Sequence, residues 1–269
     1  VSTASTDAPA QRAETESEGP TYPNGFLGDV WLVFVRELRP MLRDPASIVF
    51  GLLQPLVFVA MFMPLLSGFS DGELGLHWFV PGVLVMVSLF ATATTGSNLQ
   101  FDMHTGAHER TLVVPLRRAP LLIGRALKEM TPLTIQACVL VAITVPFGFR
   151  PDPLGAILGL VILAVFGVGF GALSYSLALA VRSQDWMFWM VQQAVLFPLM
   201  ILSGMLLPLD RGPEWMRWLA SVNPLGYVVK AERALFNGVF DVTLAQGAAA
   251  AVGVALVGLF VGTGAMRRA

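Results

Sequence analysis

The sequence predicts an all-α membrane protein with six transmembrane helices, and two observations carry that prediction. The chain has 269 residues, 55% hydrophobic and 13% charged, with a mean hydropathy of +0.69, whereas an ordinary soluble domain is about 25% charged. Apolar runs long enough to cross a hydrocarbon core about 30 Å thick also recur along it. In water such a run needs cover on every face. In lipid the helix satisfies its own backbone groups, so the same run is expected.

Val1–Gly25 is rich in Ser, Thr, Glu, Pro and Ala and reads as a disordered cytoplasmic tail. It lacks the basic start and apolar core of a secretory signal. The rest, residues 26–269, reads as one transmembrane domain. In Phe26–Asp44 the apolar residues Phe26, Val30, Val33 and Phe34 share one helical face. Arg36, Glu37, Arg39 and Arg43 gather towards the far end. That pattern suits a helix lying in the membrane interface, the alternative being a polar extension of the first span.

The six spans are Ala46–Leu66, Phe79–Leu99, Met130–Phe149, Leu154–Val181, Met187–Leu207 and Leu244–Met266. The fourth is long enough to need tilt or a kink. Pro132 and Pro146 make the third the least regular. With a cytoplasmic N-terminus, the inner side holds twelve basic residues: Arg12, Arg36, Arg39, Arg43, Arg110, Arg117, Arg118, Arg125, Lys128, Arg182, Arg267 and Arg268. The outer side holds five: Arg150, Arg211, Arg217, Lys230 and Arg233. The positive-inside rule therefore places both termini in the cytoplasm.

The outer segment Pro208–Thr243 is more than a loop. Pro213 can open a short helix that sets Trp215, Trp218, Leu219 and Val222 on one face, and Trp is favoured at the membrane interface. Asn223-Pro224 breaks that helix and Leu225–Phe236 forms a second. Two short helices re-entering the outer leaflet fit this pattern, provided that irregular backbone there is buried in protein or lines a wet cavity.

The most polar internal segment is Gln100–Lys128. Glu109-Arg110, Pro115 and Arg117-Arg118 give charges of both signs around an apolar ridge, Leu112 to Val114. Such a segment suits a docking surface and equally a solvated positive-inside loop. His104 and His108 stand four apart near Asp102 and Glu109, so a zinc site is conceivable. The pattern is not HExxH and no further ligand has the spacing, so a histidine pair within a docking surface is the better reading.

Two spans carry stripes at helical spacing. One is Gln54, Phe58, Met61, Phe62 and Leu65. The other is Trp186, Trp189, Met190, Gln193, Phe197 and Met200. Large deformable side chains with an amide suit a pathway for greasy substrates, with ordinary helix packing as the alternative. Small-xxx-small spacing at Gly155/Gly159, Gly167/Gly171 and Gly258/Gly262 permits close helix approach. The lone Cys138 lies in an apolar run with no metal or disulfide spacing. Nothing matches G-x-x-x-x-G-K-[ST], and no Ser/His/Asp set is placed for catalysis. The absence of acidic residues within the six spans disfavours coupling through intramembrane carboxylates.

With these motifs in order, the chain resembles the ABC-2 type permeases, membrane subunits of ABC exporters, and within them the daunorubicin/doxorubicin-resistance permease group. The likeness rests on four stretches. The first is Arg36-Glu37-Leu38-Arg39 to Arg43-Asp44-Pro45, with Gln54-Pro55. Pro81-Gly82 is the second. The third comprises Asp102, Gly106, Glu109-Arg110, Pro115 and Arg118, and the fourth runs from Asn223-Pro224-Leu225-Gly226-Tyr227 to Arg233. One departure is the unusually charged Val229-Lys230-Ala231-Glu232-Arg233.

The resemblance implies a division of labour. This chain would bind no cofactor, while two separate P-loop ATPase subunits would bind ATP and magnesium. A second permease copy or paralogue would complete the membrane core, with lipid around it and no nucleic-acid partner. Phe26–Asp44 would be the connecting helix. Gln100–Lys128 would contain the coupling helix, with Asp102, Glu109, Arg110, Pro115, Arg117 and Arg118 as its residues. Gln54, Phe58, Phe62, Met190, Gln193 and Phe197 would line the substrate pathway, and Trp215, Trp218, Asn223 and Pro224 would form the extracellular gate. The expected cargo is an amphipathic drug, antibiotic or lipid-like molecule exported across the plasma membrane. Alternatives are a polysaccharide or glycolipid exporter of the same family, or a non-ABC transporter or scaffold.

Overall fold

A computed structural model describes residues 25–43, 53–62, 64, 75–106, 118–128, 130–181, 184–209 and 212–268. Among these the secondary structure is entirely helical: α1 Phe26–Leu42, α2 Leu53–Phe62, α3 Leu76–His104, α4 Arg118–Lys128, α5 Met130–Thr144, α6 Pro153–Ala180, α7 Asp185–Ile201, α8 Glu214–Val222, α9 Pro224–Phe236 and α10 Val242–Arg268. A 3-10 turn, Val145–Phe147, ends α5. Four stretches are long and apolar enough to cross a membrane: Leu76–His104, Ala119–Phe147, Pro153–Ala180 and Val242–Arg267. The expected tail up to Asn24, residues 46–52, Met63, Leu65 and Leu66 of the first span, and His108, Glu109, Arg110, Pro115 and Arg117 lie outside the described residues.

The helices form where an apolar run is closed by a local stop. Asp152 caps α6, its carboxylate accepting the Gly155 N–H at 2.6 Å, and Pro153 follows at the first helical position, where a missing N–H costs nothing. Asn223 does the same for α9, accepting the Leu225 N–H at 3.0 Å ahead of Pro224. The third span was expected to reach Phe149, but its α-helix stops at Thr144. Pro146 cannot continue the hydrogen-bond ladder, and Gly148 takes φ +99°, a left-handed conformation open to glycine. The fifth span was expected to reach Leu207, but α7 stops at Ile201. Residues 202–207 turn away, with Gly204 at φ +70°.

The core is built around α3, α6, α9 and α10. α3 is buried along most of its length, with Val80, Val83, Leu84 and Leu89 fully enclosed. It packs on α6, α6 packs on α10, and α9 fits among all three. The α6–α10 contact is backbone to backbone. A methyl group on Gly169 would strike Val254 and Ala255, and one on Gly258 would strike Gly169 itself. Sequence spacing pointed to Gly167/Gly171 on α6, whereas Gly169, between them, meets Gly258. Gly167 instead faces Thr92 and Met130.

α1 packs on α4 through Val30 and Val33, both buried and the latter against Gly124. The apolar residues of α1 therefore divide between two surroundings. Val30 and Val33 face protein, while Phe26, Trp31 and Leu32 are exposed. α10 likewise leaves Leu256, Val257 and Phe260 exposed, as a lipid-facing helix does.

Candidate functional site

The polar chemistry of the bundle falls at three levels along α3, whose 29 residues span about 43 Å at 1.5 Å each.

At the Asp102 end the centre is Arg125 of α4, which is buried. Its Nη2 donates to Asp102 Oδ2 at 2.6 Å. Its Nε lies 3.4 Å from Glu37 Oε1, close enough for ion pairing but outside hydrogen-bond geometry. The guanidinium also sits 5.8 Å from the Tyr175 ring centroid. One cation thus ties α1, α3, α4 and α6 together, with Val33, Leu99, Leu122, Tyr175, Phe188 and Met266 packed beside it. Arginine suits this position, since its planar fork can serve two carboxylates and a ring at once. Beside it His104 Nε2 lies 3.0 Å from Asp185 Oδ2, linking the end of α3 to the start of α7.

Midway along α3, Ser174 of α6 is buried between two helices. Its Oγ accepts the Gly96 N–H at 3.2 Å and lies 2.7 Å from the Ala93 carbonyl and 2.9 Å from Gln192 Oε1. A hydroxyl has one proton, so only one of the last two contacts is a Ser174 donation. Turning the Gln192 amide so that its NH2 donates satisfies all three contacts. Gly96 is required here because any side chain would strike Ser174 and Phe188.

At the Trp78 end Arg233 of α9 donates to the carbonyls of Trp78, Gly204 and Met205 at 2.9–3.0 Å. Its guanidinium lies 3.6 Å from the Trp78 ring centroid. Arg233 thereby holds the turn that ends α7 against the start of α3. Asn223 adds a second tie, its amide donating to the Leu199 carbonyl at 2.9 Å. Glu232, the neighbour of Arg233, is fully buried against Gly159 of α6 and Phe236. Among the described residues neither of its carboxylate oxygens has a hydrogen-bond partner.

The sequence-predicted residues distribute across these levels unevenly. Asp102 and Glu37 meet through Arg125, while Arg36, Arg39 and Arg43 are exposed on or just after α1. Arg118 is the first residue of α4. Phe58 and Phe197 line one apolar cavity of about 370 Å³ together with Met200. Phe62 stacks on Phe58 and on Phe79, with centroids 5.9 and 5.2 Å apart. Gln54 and Met190 face outward, and Gln193 is half-buried. Trp215 and Trp218 are exposed on α8, and Asn223 and Pro224 open α9. His104 is engaged by Asp185 and Asp102 by Arg125. Among the described residues no group of three or more His, Cys, Asp or Glu gathers as a metal site.

Sequence reasoning missed Arg125, Ser174 and Glu232 as site residues, while Gln192, read with Gln54 and Gln193 as a polar residue facing protein or a pathway, packs on Ser174. Arg125 was counted only as a positive-inside charge. Its position within a short amphipathic helix beside Gly124 was the available signal.

Among the described residues the structure is an all-helical bundle with four stretches long and apolar enough to cross a membrane, the architecture of a multi-pass membrane protein. The ABC-2 type transporter family pattern matches residues 28–237, and the chain belongs to that family. It resembles the daunorubicin resistance ABC transporter permease protein of Streptomyces coeruleorubidus, at 29% identity over 207 residues, 76% of this chain and 73% of that protein. It is 21% identical over 224 residues to the probable doxorubicin resistance ABC transporter permease protein of Mycobacterium tuberculosis, covering 79% of this chain and 78% of that one. The probable multidrug ABC transporter permease of Escherichia coli is 25% identical over 169 residues, 61% of this chain and 45% of that protein. The chain is thus a multi-pass membrane permease of an ABC exporter and not itself catalytic. ATP hydrolysis is the work of separate ATPase subunits.

Proposed function

We propose that this permease crosses the plasma membrane six times with both termini in the cytoplasm. It pairs with a second permease copy or paralogue and with two P-loop ATPase subunits. Its cargo is a small amphipathic molecule, moved outward; the drug-resistance names of two relatives favour this class.

The observation that carries the coupling role is the buried Arg125 bridge. It joins α1, α3 and α4, and α3 and α4 flank the polar segment that holds Glu109, Arg110, Pro115 and Arg117. A push on that segment by an ATPase would reach α3 through Asp102 and α1 through Glu37. The short helices α8 and α9, with Trp215, Trp218, Asn223 and Pro224, would then form the outer gate.

The test is co-purification from mild detergent followed by an ATPase assay. A separate P-loop ATPase should accompany the chain at near-equal stoichiometry, with vanadate-sensitive turnover. Glu109→Ala and Arg110→Ala should leave yield unchanged and abolish substrate stimulation of that turnover. Absence of any ATPase across several detergents would refute the exporter assembly, and normal stimulation in both variants would refute the coupling assignment.

A further inference from the structure

The Trp78 end of the bundle contains two adjoining cavities of opposite character. One, of about 230 Å³, is lined by Arg217 of α8, Lys230 and Tyr227 of α9, and Ser203 in the turn after α7, with Arg233 and Trp78 also in its wall. The other is the apolar cavity of about 370 Å³ between Phe58 of α2 and Phe197 and Met200 of α7. Pro208 and Leu209 line both, so the two adjoin on either side of a single stretch of chain.

The polar cavity is basic. Lys230 is exposed to it, with its Nζ 5.9 Å from the Tyr227 ring centroid. Among the described residues no carboxylate lies within ion-pairing distance of Lys230. Among the described residues Arg217 has only a 3.9 Å contact with Glu214, a side chain almost fully exposed, and a contact of that kind is worth little. Tyr227 is fixed by donating to the Ser221 carbonyl at 2.8 Å, which holds α8 against α9. α8 turns Trp215, Trp218, Leu219 and Val222 away from the cavity, all of them exposed. An amphipathic helix with that apolar face lies at headgroup depth, which sets the basic cavity level with lipid phosphates and the apolar cavity level with acyl chains.

We infer that these cavities form one head-and-tail site for an anionic amphiphile, its phosphate, sulfate or carboxylate head between Lys230 and Arg217 and its chain against Phe58 and Phe197. The inference deepens the exporter reading by naming its substrate class, and rests on that reading for the direction of movement. It also explains why the stretch after Asn223-Pro224 carries Lys230: a cationic cargo would be repelled there, whereas charge-assisted hydrogen bonds to an anion would form.

Binding is measured without ATP, so failure of this site and failure of the ATPase pairing are separate outcomes. The full chain in phosphatidylcholine nanodiscs is titrated with dodecyl phosphate by calorimetry, with empty nanodiscs as the partition control. Saturable binding should weaken at least tenfold in Arg217→Gln with Lys230→Gln, a pair of exposed substitutions that leave the core intact. Phe58→Ala with Phe197→Ala should weaken it severalfold through loss of the chain's surroundings. Inorganic phosphate and dodecylammonium at the same concentration should not compete. Unchanged affinity in the glutamine pair, or equal competition by dodecylammonium, would overturn the anionic head. Equal competition by inorganic phosphate, or unchanged affinity in the alanine pair, would overturn the joint site and leave a bare anion pocket.

Discussion

Replacing Glu232 with glutamine should make the protein more stable at pH 8 and nearly indifferent at pH 5. Glu232 lies on the 13-residue helix α9, which packs on α10, α6 and α3, with its carboxylate against Gly159 of α6 and beside Phe236. The charged neighbours on its own helix turn elsewhere: Arg233 reaches the carbonyls of Trp78, Gly204 and Met205, and Lys230 is exposed. Asp152, the carboxylate at the start of α6, is occupied by the Gly155 N–H. Burial therefore pushes the Glu232 carboxyl from its ordinary 4.5 up to about 8, because the charged form loses its hydration without gaining a partner.

The folded protein holds this proton to higher pH than the unfolded chain does. The contribution is favourable below about pH 4.5, declines as pH rises, and is fully lost above about pH 8. At about 1.4 kcal/mol per pH unit the span is worth up to about 5 kcal/mol. Water entry and relaxation around a real carboxylate bring the measurable effect to about 2 kcal/mol. The assay is tryptophan-fluorescence melting in nanodiscs at pH 5 and pH 8. Wild type should melt several degrees lower at pH 8, and Glu232→Gln should remove the difference by raising the pH 8 midpoint. Equal wild-type midpoints, or a glutamine variant destabilised equally at both pH values, would refute the reasoning.

Three further outcomes follow from the same packing. Arg125→Leu leaves Asp102 and Glu37 without their cation in a shielded site and should cost about 3–5 kcal/mol, read as a lowered melting midpoint. Arg125→Lys should recover only part, since an ammonium cannot serve both carboxylates and Tyr175 with one planar group. Gly258→Leu drives a side chain into the Gly169 backbone and should cost about 1–3 kcal/mol or more; the check is the monodisperse fraction on gel filtration beside Val252→Leu, an exposed control on the same helix. A double-mutant cycle of Ser174→Ala and Gln192→Leu should return a coupling of about 0.6 kcal/mol and not above about 1.7, the range for hydrogen bonds between membrane helices.

Most of the helical order was legible because each helix is an apolar run ended by a residue whose backbone cannot continue. Asn223-Pro224 acts as expected, whereas Pro146 and Gly148, inside the expected third span, end its α-helix early. The end of α7 was not legible, because the stop there is tertiary: Arg233, distant in sequence, takes the carbonyls of Gly204 and Met205. The same reason hid the candidate site. Asp102 and Glu37 were visible as charges near helix ends, but the cation that joins them stands 23 residues beyond Asp102, and no periodicity signals which of several nearby arginines is buried. The glycine stripe on α6 was recognised as a close-approach surface, yet the crossing with α10 decides that Gly169 and not Gly167 faces Gly258. Glu232 was seen only as part of an unusually charged stretch, since charge in a short helix between spans ordinarily points to water.

The placement of the three polar levels has a mechanical consequence. α3 runs through all of them, holding Asp102 at one end, Gly96 between and Trp78 at the other, with α6 beside it at each. At two of the levels its approach to a neighbour is too close for a side chain: Gly82 meets the Met205 carbonyl, and Gly96 meets Ser174. Packed interiors are bistable and not continuously deformable, so α3 cannot tilt at the Asp102 end without carrying α6 at Ser174 and the 202–207 turn at Met205. That turn is also held by Arg233 of α9 and leads into Pro208 and Leu209, the residues shared by the two cavities. On the proposed coupling role, a displacement entering through Arg125 would reach the wall between the basic and apolar cavities, where the head of the proposed amphiphile would part from its chain's surroundings.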